Sequence, residues 1–195
     1  MPKPLFLETV KIEDGQIFNL SCHQARFAKT RKDFFGIEHN LLRLSNAINA
    51  PEKGLYRCRI LYDERIQNIE YIPYASKEIR TLKIVSSNLD YAYKYANRDP
   101  LLALLETNPD ADEVIIEKNG FLTDTTIANI AFYDREKWCT PLNPLLQGTT
   151  MTRLLDQGFL HPKEITKEML PSYTHVALMN AMIGFKVIKN INIFS

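Results

Sequence analysis

The dipeptide Asn119-Gly120 restricts this chain more than any other feature. It separates two β-rich segments, 113–118 and the stretch from Phe121 onward. A two-residue connection of this type needs positive φ, which Asn and Gly accept most readily, and it forces its flanks into an antiparallel hairpin. Asp14-Gly15 makes the same signal between 5–12 and 16–20. A third strand pair is expected at 54–62 and 67–71, around a turn at Asp63-Glu64. Helices are expected at about 23–35, stopped by Gly36, and at about 40–50, stopped by Pro51. The segment 73–78 reads as a connection, which divides the chain into a small N-terminal α/β domain, 1–76, and a larger domain, 77–195. The second domain opens with a strand at 80–86, followed by a short strand or loop at 91–95. A helix then starts with Asp99 as N-cap and Pro100 at its first position. Further expectations are a strand at 127–133 and a helix at 150–157 closed by Gly158. A short helix near 163–170 and strands at 175–179 and 185–191 complete the chain. Strands outnumber helices, so the fold class is α/β of the α+β kind: two lobes, mostly antiparallel sheets and flanking helices.

Composition narrows the function. With 195 residues and 45% apolar content the chain can bury a real core, which excludes a disordered protein or a collagen. No apolar run reaches the roughly 20 residues of a membrane span, and 1–5 lacks the apolar stretch of a signal peptide. The 24 basic and 23 acidic residues are nearly balanced, which disfavours nucleic acid and leaves room for a small anion. Cys22, Cys58 and Cys139 are odd in number and widely spaced, which fits a reducing cytoplasm, and the four histidines show no metal-ligand spacing.

Several residues could carry chemistry. Lys94 lies between Ala92 and Ala96; in an extended segment these share one face, while Tyr91, Tyr93 and Tyr95 share the other. A lysine with small neighbours, in a partly dry pocket, is a usable amine nucleophile. Read alone, it fits a solvated strand lysine better. Gly148-Thr149-Thr150 before a helix offers backbone N–H groups and hydroxyls to a phosphate, although a plain helix start is the commoner use. Arg26 opens the first helix as a bidentate donor for phosphate or carboxylate, or as a surface arginine over Phe27. Asp124 could pair with a protonated ring nitrogen, or serve a turn with Thr125-Thr126. Arg57 and Arg59 alternate with Tyr56 and Cys58 on one strand, where a solvated face is slightly favoured.

Together and in order, these segments resemble the fold-type IV pyridoxal-phosphate enzymes, the class IV aminotransferase family of branched-chain and D-amino-acid aminotransferases and 4-amino-4-deoxychorismate lyases. The resemblance covers nearly the whole chain. It is carried by Phe6-Leu7-Glu8-Thr9-Val10, His23-x-x-Arg26, Lys94 with Asn97-Arg98, and Asp112-Glu113-Val114 through Leu122-Thr123-Asp124 to Asn129. Thr140-Pro141, Leu145 to Thr150, Leu154-Leu155 and Asn180-Ala181-Met182 complete it. It implies a two-lobed fold of the D-amino-acid aminotransferase-like type and the cofactor pyridoxal 5'-phosphate. Lys94 would carry the cofactor and then move protons at the substrate α-carbon. Arg26, Thr149, Thr150, Asn180 and Ala181 would hold the phosphate, and Asp124 the pyridine nitrogen. Arg98 would be structural.

Departures are visible. Asp124 replaces the family's Glu, Thr125-Thr126 its Gly-Ser, Ala128 a Ser and Met151 an Arg. The chain starts close to the Phe6–Val10 strand, so the N-terminal strands that shape the substrate pocket of relatives are expected to be missing. The implied protein is a cytoplasmic homodimer, a lyase or a transaminase acting on an amino-acid-type small molecule, with no nucleic-acid or membrane partner. The alternative is a non-catalytic cofactor-binding relative; an interaction domain without cofactor would require five motif clusters to coincide by chance.

Overall fold

The structure is a computed structural model, described for residues 3–38 and 41–195. It divides into two compact units: the described residues up to Ser76 together with Tyr93–Asn97, and Lys77–Ala92 together with Arg98–Ser195. The five residues Tyr93–Asn97 therefore lie apart from the 77–195 stretch in which the sequence reading placed them.

In the first unit, β1 (Phe6–Glu13) turns at Asp14 (φ 47) and Gly15 (φ 81) into β2, which is only Gln16–Ile17. The expected strand 16–20 stops short because Asn19 is left-handed (φ 54) and feeds the chain straight into α1 (Leu20–Phe35), three residues before the expected start. Gly36, left-handed at φ 65, ends α1 as expected, and its N–H donates to the Lys32 carbonyl. The residues α1 buries, His23, Phe27, Thr30 and Arg31, follow helical spacing along one face. The expected helix at 40–50 is corrected to the single turn α2 (Leu44–Ala47); its expected first residue, Asn40, lies outside the described residues. Arg43 and Ile48 are extended, and Gln24 supplies what a longer helix would have supplied. Its Oε1 accepts from Leu44 N (2.8 Å) and its Nε2 donates to the Leu42 carbonyl (3.2 Å). β3 (Leu55–Tyr62) and β4 (Ile66–Pro73) complete an antiparallel sheet of order β2-β1-β3-β4. Phe6, Val10 and Ile12 of β1 pack with Cys58, Ile60 and Tyr62 of β3 against Phe27 of α1. Tyr93 and Tyr95 join this core, with Tyr95 bridging to Phe6. The segment 91–95 is not an extended strand but carries bends at Ala92 and Tyr93, so the period-two face expected for its three tyrosines has no strand to form on.

The second unit is built from β5 (Thr81–Ser86), α3 (Asp99–Glu106), β6 (Glu113–Lys118), β7 (Phe121–Thr125), β8 (Asn129–Tyr133), β9 (Trp138–Pro141) and α4 (Thr149–Asp156). β10 (Leu160–Lys163), a 3₁₀ turn at Lys167–Ser172, β11 (His175–Asn180), β12 (Gly184–Ile188) and β13 (Asn192–Phe194) follow. Asp99 is the first residue of α3 and Arg98 its cap, one position earlier than expected. The helix expected near 163–170 is corrected to β10 and the 3₁₀ turn, where Pro171 cannot continue an α-helix. The expected strand 185–191 splits at left-handed Asn190 (φ 54) into β12 and β13. The sheet runs β10-β9-β8-β7-β6-β5-β13, with β11 on the other edge of β8 and β12 beyond it. Hairpin pairings are antiparallel; β5–β6, β5–β13 and β9–β10 are parallel.

Alternate residues of β8 and β11 face two cores. Ile130, Phe132, Val176 and Leu178 join the larger core, while Ala131 and Met179 pack beneath α4 with Met151 and Leu154. Met151, which stands where the family has Arg, is therefore a core residue.

Candidate functional site

In the first unit the candidate residues gather at the start of β1. Alternation points Phe6, Glu8, Val10 and Ile12 toward α1, so a carboxylate enters an apolar core. Glu8 and His23 are both fully buried. Arg26 forks onto Glu8, with Nε to Oε1 at 2.8 Å and Nη2 to Oε2 at 2.6 Å, while His23 Nδ1 meets Oε2 at 2.6 Å. Burial alone would raise the Glu8 pKa; the Arg26 charge and the hydrogen bonds from Arg26 and His23 overcome it and hold it at about 2. An ionised carboxylate only accepts, so His23 Nδ1 carries the hydrogen. Burial lowers the His23 pKa, and the Arg26 and Lys94 charges lower it further. Lys94 is half-buried, in a segment clamped to the edge of β1. Leu7 N donates to the Lys94 carbonyl (2.9 Å) and Ala96 N to the Leu5 carbonyl (2.8 Å).

In the second unit Asp124, Asn129 and the segment before α4 form one network. Asn129 Nδ2 donates to Asp124 Oδ1 and to the Leu146 carbonyl, each at 2.7 Å. Asn129 Oδ1 accepts from Gly148 N (3.0 Å), and Leu146 N donates to Asp124 Oδ2 (2.9 Å). One amide therefore orients both the acid and the start of α4. A Cβ on Gly148 would lie 2.4 Å from Asn129 Oδ1, so only glycine fits there. Thr149 and Thr150 are the first, buried residues of α4, at the positive end of its dipole. Burial raises the Asp124 pKa to about 7, against the smaller opposing effect of its N–H donors. Its donors are neutral, and among the described residues no ion pair includes it.

The turn between Asp124 and Asn129 is pinned by Thr125 and Thr126, which depart from the family's residues, by Glu113, and by Arg98, for which a structural role is expected. Thr125 Oγ1 donates to the Ala128 carbonyl and accepts from Ala128 N. Buried Glu113 accepts from Thr126 Oγ1 (2.7 Å) and Thr126 N (3.2 Å), and Arg98 Nη2 donates to the Thr126 carbonyl (2.7 Å). Asn180 uses its side chain on its own turn: Oδ1 accepts from Met182 N and Ile183 N, and Nδ2 donates to the Ile127 carbonyl. Ala181 sits within that turn, so this pair has backbone rather than the Asn180 amide to offer an anion. Glu8, His23, Glu113 and Asn129 were missed as site residues. They stood inside the quoted motifs, but nothing local marks a carboxylate or amide as buried.

The pieces fit pyridoxal 5'-phosphate on two observations. A buried carboxylate with a raised pKa and only neutral donors lacks the counter-ion that a protonated pyridine nitrogen would be. A glycine whose side-chain space is taken by Asn129 holds the start of α4 in a form suited to a phosphate.

Known proteins match this architecture. The model of the family described as amino-transferase class IV matches residues 5–191. An uncharacterised Haemophilus influenzae protein is 34% identical over 186 residues, 93% of this chain and 98% of the relative. A Schizosaccharomyces pombe protein, described as a candidate aminodeoxychorismate lyase, is 30% identical over 86% of this chain and 82% of its own length. The crystal structure of a candidate 4-amino-4-deoxychorismate lyase from Haemophilus somnus 129PT superposes with a TM-score of 0.85 at 35% identity, covering 94% of this chain and 99% of that one. The chain belongs to the amino-transferase class IV family, among its lyase- and transaminase-like enzymes.

Proposed function

We propose that the protein is a pyridoxal 5'-phosphate-dependent enzyme acting on an amino-acid-like substrate, as a 4-amino-4-deoxychorismate lyase or a related transaminase. Asp124 carries this reading: a buried acid near neutrality, held by Asn129 and Leu146, is suited to keep a pyridine nitrogen protonated. When bound, the cofactor supplies an electron sink for the pair left at the substrate α-carbon. Lys94 would hold the cofactor, and its amine would serve to remove the substrate's α-proton and hold it for return. Arg26, its guanidinium oriented by two bonds to Glu8, takes phosphate charge together with the Thr149 and Thr150 end of α4. The Asn180-Ala181 turn adds backbone to the same role. A lyase and a transaminase would share this α-proton removal and differ in whether the substrate then loses a group from Cβ or exchanges its amino group. We further infer a homodimer, by analogy with the family alone, and a cytoplasmic location, which the odd number and wide spacing of the cysteines favour.

The test is absorption of the protein incubated with pyridoxal phosphate, then borohydride reduction and peptide mass mapping, with Lys94→Ala beside it. The expected result is a cofactor band in the wild type, with label on Lys94. No band, or label scattered over surface lysines, would reject the reading. Release of pyruvate from aminodeoxychorismate, against amino transfer to a 2-oxo acid, then separates the two reactions.

A further inference from the structure

Lys94 owes its place to a tight turn rather than to a strand. Tyr95 N donates to the Tyr93 carbonyl at 2.9 Å, which closes a three-residue turn with Lys94 at its apex. Backbone fixes this turn to β1 on both sides, from Leu7 N to the Lys94 carbonyl and from Ala96 N to the Leu5 carbonyl. Strand β1 pairs with β3 along one edge; along the other, β2 holds one end and the Lys94 turn the other.

The flanking tyrosines anchor the turn further. The Tyr95 ring lies 5.3 Å from that of Phe6. The Tyr93 ring meets Phe34 of α1 edge-on, with centroids 4.7 Å apart and planes at 88°, and lies 6.4 Å from Phe6. The Tyr93 hydroxyl donates to Asp33 Oδ2 at 2.8 Å, Asp33 pairs with Lys29, and the Lys29 ammonium lies 5.2 Å from the Tyr93 ring. These polar contacts are exposed and contribute little against water, so the ring contacts carry the hold.

Lys29, Asp33 and Phe34 all stand on α1, which also carries Arg26. Arg26 and Asp33 are seven residues apart, about 700° of helical turn, which leaves them on one face and about 10 Å apart along the axis. One helix thus fixes both the arginine assigned to the phosphate and the tyrosine next to the lysine. The Lys94 charge acts on buried His23, which ties the lysine to the group of Glu8, His23 and Arg26. Tyr93 itself lies outside the residues Lys94, Asn97 and Arg98 that carry the family resemblance here.

We propose that Tyr93 is a positioning residue: its ring, seated on α1, holds the Lys94 amine at a set distance from Arg26. The inference rests on the enzymatic reading above and deepens it, by naming a residue that acts through Lys94 rather than on the substrate. A displacement of about 1 Å at a reacting group costs on the order of a hundredfold in rate, so such a hold has a kinetic signature.

The test compares wild type, Tyr93→Ala, Tyr93→Phe and Ile69→Ala, the last weakening the same core from β4, away from Lys94. In the cofactor-free protein, amide hydrogen exchange at Leu7, Tyr95 and Ala96 should speed up about tenfold or more in Tyr93→Ala. It should stay at the wild-type rate in Tyr93→Phe and Ile69→Ala. In the protein loaded with pyridoxal phosphate, Tyr93→Ala should lose most of the visible circular dichroism of the cofactor. In whichever of the two reactions the wild type performs, its kcat should fall about tenfold or more with KM changed by less than about twofold. Tyr93→Phe, which keeps the ring, should restore both readouts. Ile69→Ala should lower the melting temperature yet leave dichroism and kcat near wild type, which a merely structural tyrosine would not be distinguished from. Should Tyr93→Ala not fold, Tyr93→Leu takes its place. Wild-type exchange and kcat in Tyr93→Ala, or an equal loss of kcat in Ile69→Ala, overturns the proposal. Faster exchange in Tyr93→Ala in a protein that shows no cofactor band would reject the cofactor reading and leave the hold of Tyr93 on the Lys94 turn standing.

Discussion

Asp124 has a measurable consequence at the scale of one residue. Its folded pKa, about 7, lies above the ordinary carboxylate value of 3.8. The unfolded chain therefore releases this proton first, so the Asp124 contribution favours the fold at low pH and is lost as pH rises from about 4 through 7. Asp124→Asn removes this titration, so relative to the wild type the cofactor-free variant should be better placed at pH 8 than at pH 4 by about 1–4 kcal/mol of stability, while the amide's clash with one of the two N–H donors is a cost common to both pH values. The same substitution should weaken cofactor binding. A melting curve at each pH checks the difference, and equal effects at the two pH values would contradict the assignment. Gly148 makes a second residue-scale prediction. Gly148→Ala must displace the Asn129 amide, so it should cost about 1–3 kcal/mol and disturb cofactor binding through Asp124 as well. Denaturant unfolding and cofactor titration of the variant would show the two losses together.

At the scale of elements, the Glu8 cluster joins β1 to α1 through polar contacts inside an apolar core. Breaking it removes the one carboxylate that both groups share. Glu8→Ala takes that acceptor from partly buried Arg26 and buried His23 and should cost about 3–5 kcal/mol, measured by chemical denaturation. The linkage here has the opposite sign to that of Asp124. The folded pKa of Glu8 is depressed to about 2, so its contribution is complete above about 4.5 and disappears as pH falls from there through 2. Acid unfolding of the wild type should steepen in that window, and Glu8→Gln should flatten it. The elements themselves were largely legible. Asp14-Gly15, Asn119-Gly120 and Gly36 each need a backbone conformation that only a few residues accept, so turns and a helix end are written locally. The misread elements had competing local signals. The segment after Arg43 has helical composition but gives its backbone to Gln24, and 160–163 pairs in parallel with a strand some twenty residues earlier.

At the scale of the whole molecule, cofactor binding must appear as stability. At a free concentration one hundred times its dissociation constant, pyridoxal phosphate should add about 2.7 kcal/mol, or roughly 5–10 °C in melting temperature for a chain of this size. Lys94→Ala and Asp124→Asn should each reduce that shift. No shift in the wild type would contradict the functional reading. The sequence by itself determined the strand-rich class, the main hairpins, the end of the first helix and the ordered motifs that carry the family. Each of these depends on residues a few positions apart. Tertiary structure alone decided that Glu8 meets Arg26 and His23, and that Asn129 joins Asp124 to the start of α4. It also decided that β13 returns beside β5. These facts depend on which buried polar group completes which other, and no single segment contains both partners.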